Sequence, residues 1–207
     1  MEFIDLHAHS ILSCGVDTQS RMLFNAKRLG VTLGLCDGVE GKCRTGIEIS
    51  AKNKSKLKSS ISNSSNFDYV VINGGDEHIN RLATSDKRVD ILAHPDAGRK
   101  DPGVDSFVAE QAHKNGVAIE VNLRNLVLTK GNRRVNALKN VARTLKLSRK
   151  YGFDIIVTSG AKSRLELRSG DGVFQLLKLL GFEEVEAEAA MVFVPQRILD
   201  NNFRGAL

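Results

Sequence analysis

Eight short runs rich in β-branched and aliphatic residues recur along the 207-residue chain, at residues 3–6, 32–36, 46–50, 69–72, 89–92, 117–121, 154–158 and 190–194. Helical patterns separate them, at residues 19–29, 55–62, 77–85, 104–114, 133–151 and 173–180, with a final turn or helix from Gln196 onward. Only the link between the second and third runs lacks a clear helix. Strands alternating with helices imply parallel pairing, and Tyr69-Val70-Val71-Ile72 and Ile155-Ile156-Val157 are apolar throughout, as strands covered on both faces require. Eight such units predict a single-domain (β/α)8 TIM-like barrel over residues 1–207, small for a class that usually needs about 250 residues. An open doubly wound sheet is the alternative. Residues 59–66 read as a polar loop, and no linker divides the chain.

Composition narrows the classes. With 42% hydrophobic and 26% charged residues the chain is ordinary for a globular protein, and its length allows one sizeable core. No apolar run approaches the ~20 residues of a membrane span. The first ten residues carry Glu2, Asp5, His7 and His9 where a secretory signal would be basic and then apolar, so a cytoplasmic location is expected. Cys14, Cys36 and Cys43 lack paired spacing and read as reduced thiols.

The formal charge of +6 is unevenly placed. Between Arg124 and Arg168 there are 12 basic and 2 acidic residues, a net of +10, so the rest of the chain is net −4. Such polarity is an electrostatic footprint of polyanion binding. In the predicted helix 133–151, Val135, Leu138, Val141, Ala142 and Leu145 form the expected buried stripe, and Lys139, Arg143, Lys146 and Lys150 stack along a flanking one. Four like charges at that spacing repel one another, which a polyanionic partner would relieve.

If the barrel is right, function lies beyond the C-terminal ends of the strands. Polar residues fall there: His7 and His9, Asp37, Lys52 and Asn53, Asp76, Glu77 and His78, His94, then Asn122, Arg124, Ser159 and Lys162. Asp5-Leu6-His7-Ala8-His9-Ser10, Gly75-Asp76-Glu77 and Ala93-His94-Pro95 resemble the first metal motifs of the polymerase and histidinol phosphatase superfamily, a barrel that hydrolyses phosphoesters with clustered metals. The resemblance implies a vestigial metal site at His7, His9, Glu77 and His94. Two of that superfamily's motifs are broken: Gly38 follows Asp37 where a histidine is expected, and Ser159-Gly160-Ala161 replaces an Asp-x-His.

A narrower resemblance covers about residues 1–200. Arg99-Lys100-Asp101-Pro102-Gly103-Val104-Asp105, Ile119-Glu120-Val121-Asn122-Leu123-Arg124, the basic helix, Val157-Thr158-Ser159-Gly160-Ala161-Lys162, Val39-Glu40 and Asn80-Arg81-Leu82-Ala83 resemble the archaeal ribonuclease P protein component 3 family, homologous to the 30 kDa subunit of the eukaryotic enzyme. It implies a non-catalytic subunit of a ribonucleoprotein that removes the 5′ leader of precursor tRNA. Its implied partners are ribonuclease P RNA, precursor tRNA, component 2 and other protein subunits, with Mg2+ held by the RNA and no cofactor on the protein. The expected RNA-binding residues are Arg99, Lys100, Arg124, Arg133, Arg134, Lys139, Arg143, Lys146, Lys150, Lys162 and Arg168. Intramolecular pairing of Arg99, Lys100 and Arg124 with Asp101, Asp105 or Glu120 is the alternative use of those cations. A metal-dependent phosphoesterase using His7, His9, Glu77 and His94 is the alternative function.

Overall fold

The computed structural model describes residues 1–39 and 43–203, the last three as backbone only. Glu40 therefore lies outside the described residues. Seven of the eight expected runs form parallel strands: β1 (Phe3–Ala8), β2 (Val31–Leu35), β3 (Arg44–Ile49), β4 (Tyr69–Asn73), β5 (Ile91–Ala93), β6 (Ala118–Asn122) and β7 (Ile155–Thr158). They pair in sequence order, each with the next. Between them lie α1 (Gln19–Arg28), α2 (Lys54–Ser62), α3 (Glu77–Thr84), α4 (Ser106–Asn115), α5 (Leu123–Leu128) and α6 (Gly131–Tyr151). After β7 come α7 (Gly170–Leu179), α8 (Glu184–Glu188), a π-helical turn over Ala189–Phe193, and α9 (Val194–Phe203).

The sheet is nearly closed. Ala8 and Ala161 form a parallel bridge, and His9 N–H donates to the Ala161 carbonyl at 2.8 Å. Position 161, where the phosphoesterase pattern wants a ligand, is thus used through its backbone to join the last strand to the first.

The eighth run, 190–194, is helical rather than extended, which corrects the strand count to seven. Its apolar residues read alike in a strand or a buried helix. What decides is the preceding Glu183-Glu184-Val185-Glu186-Ala187-Glu188, a run of helix formers whose Glu186 carboxylate accepts from the Glu183 N–H at 2.8 Å, the capping geometry that starts a helix. The π turn packs across β1 and β7, and α9 reaches β1, β4 and β7. Val194, Ile198 and Leu199 of α9 join Ile4, Tyr69, Ile91, Ala118 and Ile156 in one inner cluster, and Arg197 pairs with Asp154, just ahead of β7, at 2.7 Å. The C-terminal helix therefore plugs the N-terminal mouth of the barrel.

Period-two alternation puts Ala118 and Glu120 on the same inner face of β6, and Ile156 and Thr158 on that of β7. The lumen is apolar at the plugged end and polar at the other. The fully buried Tyr69 ring fits because β3 and β2 carry glycine where it crosses them: a Cβ at Gly46 would lie 2.2 Å from Tyr69 Cε2, and one at Gly34 2.4 Å from its hydroxyl.

Two further expectations shift. Helix α4 begins at Ser106, capped by Asp105 through the Val108 N–H at 2.8 Å, because Gly103 at φ +69 belongs to the preceding turn. In α6 only Val141 and Leu145 of the expected stripe are buried, whereas Val135 and Leu138 are 46% and 39% exposed. The first turns of α6 meet α5, where Arg134 donates to the Val127 carbonyl, and leave Val135 and Leu138 facing solvent.

Candidate functional site

At the open mouth, three imidazoles and two carboxylates meet. Strict alternation from Ile4 and Leu6 would turn His7 outward, but the β1–β2 register breaks between Asp5 and Ala8 and His7 points into the lumen. Its Nδ1 lies 2.5 Å from Glu120 Oε1, and its Nε2 lies 3.6 Å from Glu48 Oε1 and 3.2 Å from His9 Nε2. His9 Nε2 is 3.7 Å from Glu48 Oε2. His94 Nδ1 is 3.5 Å from Glu120 Oε2, and the His94 N–H donates to that same oxygen at 3.0 Å. His94 is the one non-glycine residue with positive φ among the described residues, at +48.

Glu120 is the hub. Besides His7 and the His94 N–H, it accepts from Thr158 Oγ1 at 2.6 Å and Asn122 Nδ2 at 3.1 Å. Burial alone would raise its pKa, but the charges of His7 and His94 and the bonds from His7 and Thr158 hold it well below the usual carboxylate range. Burial likewise works to strip the proton from His7, yet Glu120 and then Glu48 outweigh it and lift His7 to about 10. His9 moves the other way, to about 4, because it is desolvated beside a protonated His7. The assignment that follows is a doubly protonated His7 donating Nδ1–H to Glu120 and Nε2–H toward His9 and Glu48, with His9 neutral.

That assignment sets a pH dependence. Between about 6.5, the ordinary histidine value, and about 10, the folded protein holds a His7 proton that the unfolded chain has released, so its stability falls as pH rises across this window. Thermal melts from pH 6 to pH 10 are expected to decline more steeply for the wild type than for Glu120→Gln, which takes away the charge that keeps the proton. Parallel melting profiles would refute the assignment.

The site corrects one expected ligand. Glu77 opens α3, is exposed, and pairs with Arg81 at 3.0 Å; it is not among the described groupings of potential metal ligands, which are His7, His9 and Glu48, and His7, His94 and Glu120. Glu48 and Glu120 take its place. Each had a readable signal, a carboxylate inside a strand otherwise apolar on both sides, Gly46-Ile47-Glu48-Ile49 and Ile119-Glu120-Val121, which is costly to bury without a cation or imidazole. Because His7 Nδ1 is committed to Glu120, a divalent cation would have to displace the His7 Nε2 proton, and it would then be held by His7 Nε2, His9 Nε2 and Glu48, with Glu120 orienting His7 from behind. Such a cation would act as a Lewis acid. Asp37, the next carboxylate along the rim, is spoken for: it accepts from the Ser10 N–H and Oγ at 2.8 and 2.6 Å, and from Ser13 Oγ at 2.7 Å.

The expected RNA-binding cations divide into two groups. Arg99 pairs with Asp101 at 2.8 Å, and Arg124 with Glu166 at 3.0 Å, so the predicted intramolecular alternative holds for Arg99 while Arg124 finds a different carboxylate. Glu120 takes no arginine among the described residues. Arg134 donates to the Val127 carbonyl and Arg168 to the carbonyls of Leu165 and Leu167. Lys150 lies over Tyr151, its Nζ 4.7 Å from the ring centroid. Lys100, Arg133, Lys139, Arg143 and Lys146 are exposed, and Lys162 is half-buried. Asn80, singled out only as part of a motif, turns out to be a fully buried staple: its Nδ2 donates to the carbonyls of Pro95 and Gly103, both at 2.9 Å, and its Oδ1 accepts from Gly75 N–H. The Ser159 N–H is occupied by Asp5 Oδ1 at 3.1 Å. The three cysteines are unpaired, and no described helix is long and apolar enough to cross a membrane.

Fold and site together define a seven-stranded parallel β/α barrel with a histidine–carboxylate mouth, flanked by a long basic helix. Comparison with known proteins narrows the class. A family model described as RNase P subunit p30 matches residues 39–204, and the chain belongs to that family. It is 40% identical over 161 residues to ribonuclease P protein component 3 of Methanosarcina barkeri, covering 77% of this chain and 67% of the relative. Its similarity to the component 3 of Methanococcoides burtonii is 35% over 212 residues, 95% of this chain and 87% of that one. Among solved structures it resembles a chain of the cryo-EM structure of archaeal ribonuclease P with mature tRNA, at a TM-score of 0.80 and 22% identity, over 97% of this chain and 91% of the other.

Proposed function

We propose that this chain is a protein subunit of ribonuclease P, the ribonucleoprotein endonuclease that removes the 5′ leader of precursor tRNA, and that it binds RNA without performing the cleavage. The family match along residues 39–204 carries the reading. The physical support is the division of labour on the molecule: Lys139, Arg143 and Lys146 of α6 face solvent with no acidic partner among the described residues, and the histidines at the mouth neutralise carboxylates. In this reading the chain contacts ribonuclease P RNA, precursor tRNA, component 2 and other protein subunits. Mg2+ sits on the RNA, the protein needs no cofactor, and the compartment is the cytoplasm, which suits three unpaired thiols.

Reconstitution tests it. Ribonuclease P RNA and the other protein subunits are assayed on precursor tRNA with and without this chain, and omission is expected to slow 5′ cleavage by about tenfold or more, equivalent to about 1.4 kcal/mol of barrel-dependent stabilisation of the transition state. His9→Ala should restore the rate as the wild type does, because His9 touches only its neighbours in the mouth. An unchanged rate on omission overturns the reading. The second reading, a metal-dependent phosphoesterase, is favoured by the His7, His9 and Glu48 donor set. It requires the isolated chain to turn over a chromogenic phosphoester with Mn2+ or Zn2+, and to lose that turnover with His9→Ala.

A further inference from the structure

A second basic surface lies away from α6. Residues 50–66 hold four lysines, Lys52, Lys54, Lys56 and Lys58, and no acidic residue, a net of +4. Three of them stand at the first, third and fifth positions of α2 (Lys54–Ser62). There they oppose the helix polarity, because aligned peptide dipoles leave a helix positive at its start, where anions stabilise and cations do not. No acidic side chain in that first turn offsets them. All four lysines are exposed, and no carboxylate pairs with Lys52, Lys54 or Lys56 among the described residues. Lys54 and Lys58 are like-charge neighbours on one stripe. Ser62, a turn further on, continues it and accepts from Arg88 Nη1 at 3.1 Å, which brings the exposed Lys87 and Arg88 to the end of the stripe. Asp86, the one carboxylate there among the described residues, already accepts from Arg88 at 2.9 and 2.7 Å.

The seven strands pair in sequence order. Helix α2 lies in the link from β3 to β4, and α6 in the link from β6 to β7. Round the barrel, three strands separate the two helices one way and four the other, so the two basic faces stand on opposite sides of the body. We propose that α2 is a second face for RNA phosphates, and that the chain bridges two separate RNA segments, one on α2 and one on the α6 stripe. The inference rests on the RNA-binding reading above and adds how many segments the subunit holds. A straight duplex lying along one face cannot reach the other, because the barrel stands between them. Phosphates fit α2 better than a protein surface does. A protein interface needs an apolar centre, and no large apolar side chain of residues 50–66 is exposed. Phosphate contact needs only cations and neutral donors, which the lysines and the exposed Ser55 and Ser59 supply.

The test is native mass spectrometry of the full chain titrated with a short RNA hairpin. Two hairpins per chain are expected for the wild type. The variant Lys54→Gln/Lys56→Gln/Lys58→Gln should hold only the hairpin on α6, and the glutamine variant of Lys139, Arg143, Lys146 and Lys150 only the one on α2. The α2 variant should also flatten the salt slope of ribonuclease P RNA binding by about 2, at about 0.7–0.9 per lost phosphate contact. Thermal melts confirm folding, and the α2 variant should melt no earlier than the wild type, since its lysines oppose the helix dipole. A control that removes the same charge elsewhere, Lys27→Gln/Lys114→Gln/Lys178→Gln, should keep both hairpins. One hairpin per wild-type chain at saturation overturns the bridge and leaves the subunit reading standing. So does a second hairpin that survives the α2 variant, or one that the control loses. Failure of the wild type to bind any of these RNAs would remove the RNA-binding reading itself.

Discussion

Glu120→Ala is expected to lower the unfolding free energy by about 3–5 kcal/mol, the cost of leaving one member of a buried ion pair without its partner. The wild-type carboxylate serves four donors at once: His7 Nδ1, Thr158 Oγ1, Asn122 Nδ2 and the His94 N–H. Alanine strands all of them in the lumen. A domain of this kind has about 5–15 kcal/mol in total, so the variant should sit close to its unfolding threshold at room temperature. Glu120→Gln keeps an acceptor oxygen and the packing while losing the charge, and should cost less. The double variant with His7→Gln should cost less than the sum of its parts, because it no longer buries an unpaired imidazolium. Urea unfolding of five proteins, the wild type, Glu120→Ala, Glu120→Gln, His7→Gln and the Glu120→Ala/His7→Gln double variant, checks the ordering. An alanine variant within about 1 kcal/mol of the wild type would mean that water, rather than Glu120, satisfies the mouth.

The barrel was legible because parallel strands buried on both faces leave continuous apolar runs, and seven of them sit where those runs predict. The run at 190–194 misled because Ala-Met-Val-Phe-Val is equally at home in a buried helix, and the decision lay seven residues upstream, in the capping glutamates. The stripe on α6 misled differently. Val135 and Leu138 keep helical spacing, yet they lie on a side of the first turns that is left open to solvent, which periodicity cannot reveal. For the site, His7, His9 and His94 were legible from their motifs, and Glu77 was drawn in by adjacency to Asp76, whose own role is to cap α3 through the Ile79 N–H. The true partners, Glu48 and Glu120, sit inside strands rather than after them. Reading only the strand ends passes over residues that point up the lumen from within.

Helix α6 carries the second large effect. Lys139, Arg143, Lys146 and Lys150 are all exposed, none meets an acidic side chain among the described residues, and they recur at intervals of four, three and four along one stripe. Arg99 and Arg124 differ, since a phosphate would have to displace Asp101 or Glu166 to reach them. Converting the four stripe residues to glutamine should therefore remove more RNA affinity than converting both arginines. Each phosphate contact contributes about −0.7 to −0.9 to the slope of log affinity against log salt. If all four residues lie on phosphates, the quadruple variant flattens that slope by about 3, and its affinity for precursor tRNA or ribonuclease P RNA falls most at low salt. The fold should not suffer, because relieving like-charge neighbours at this spacing returns about 0.2–0.5 kcal/mol per pair. Filter binding from low to moderate salt, with a thermal melt of each protein, measures both quantities. A folded quadruple variant that keeps the wild-type slope would take this stripe out of the RNA interface and transfer its role to Lys100, Arg133 and Lys162 around the mouth.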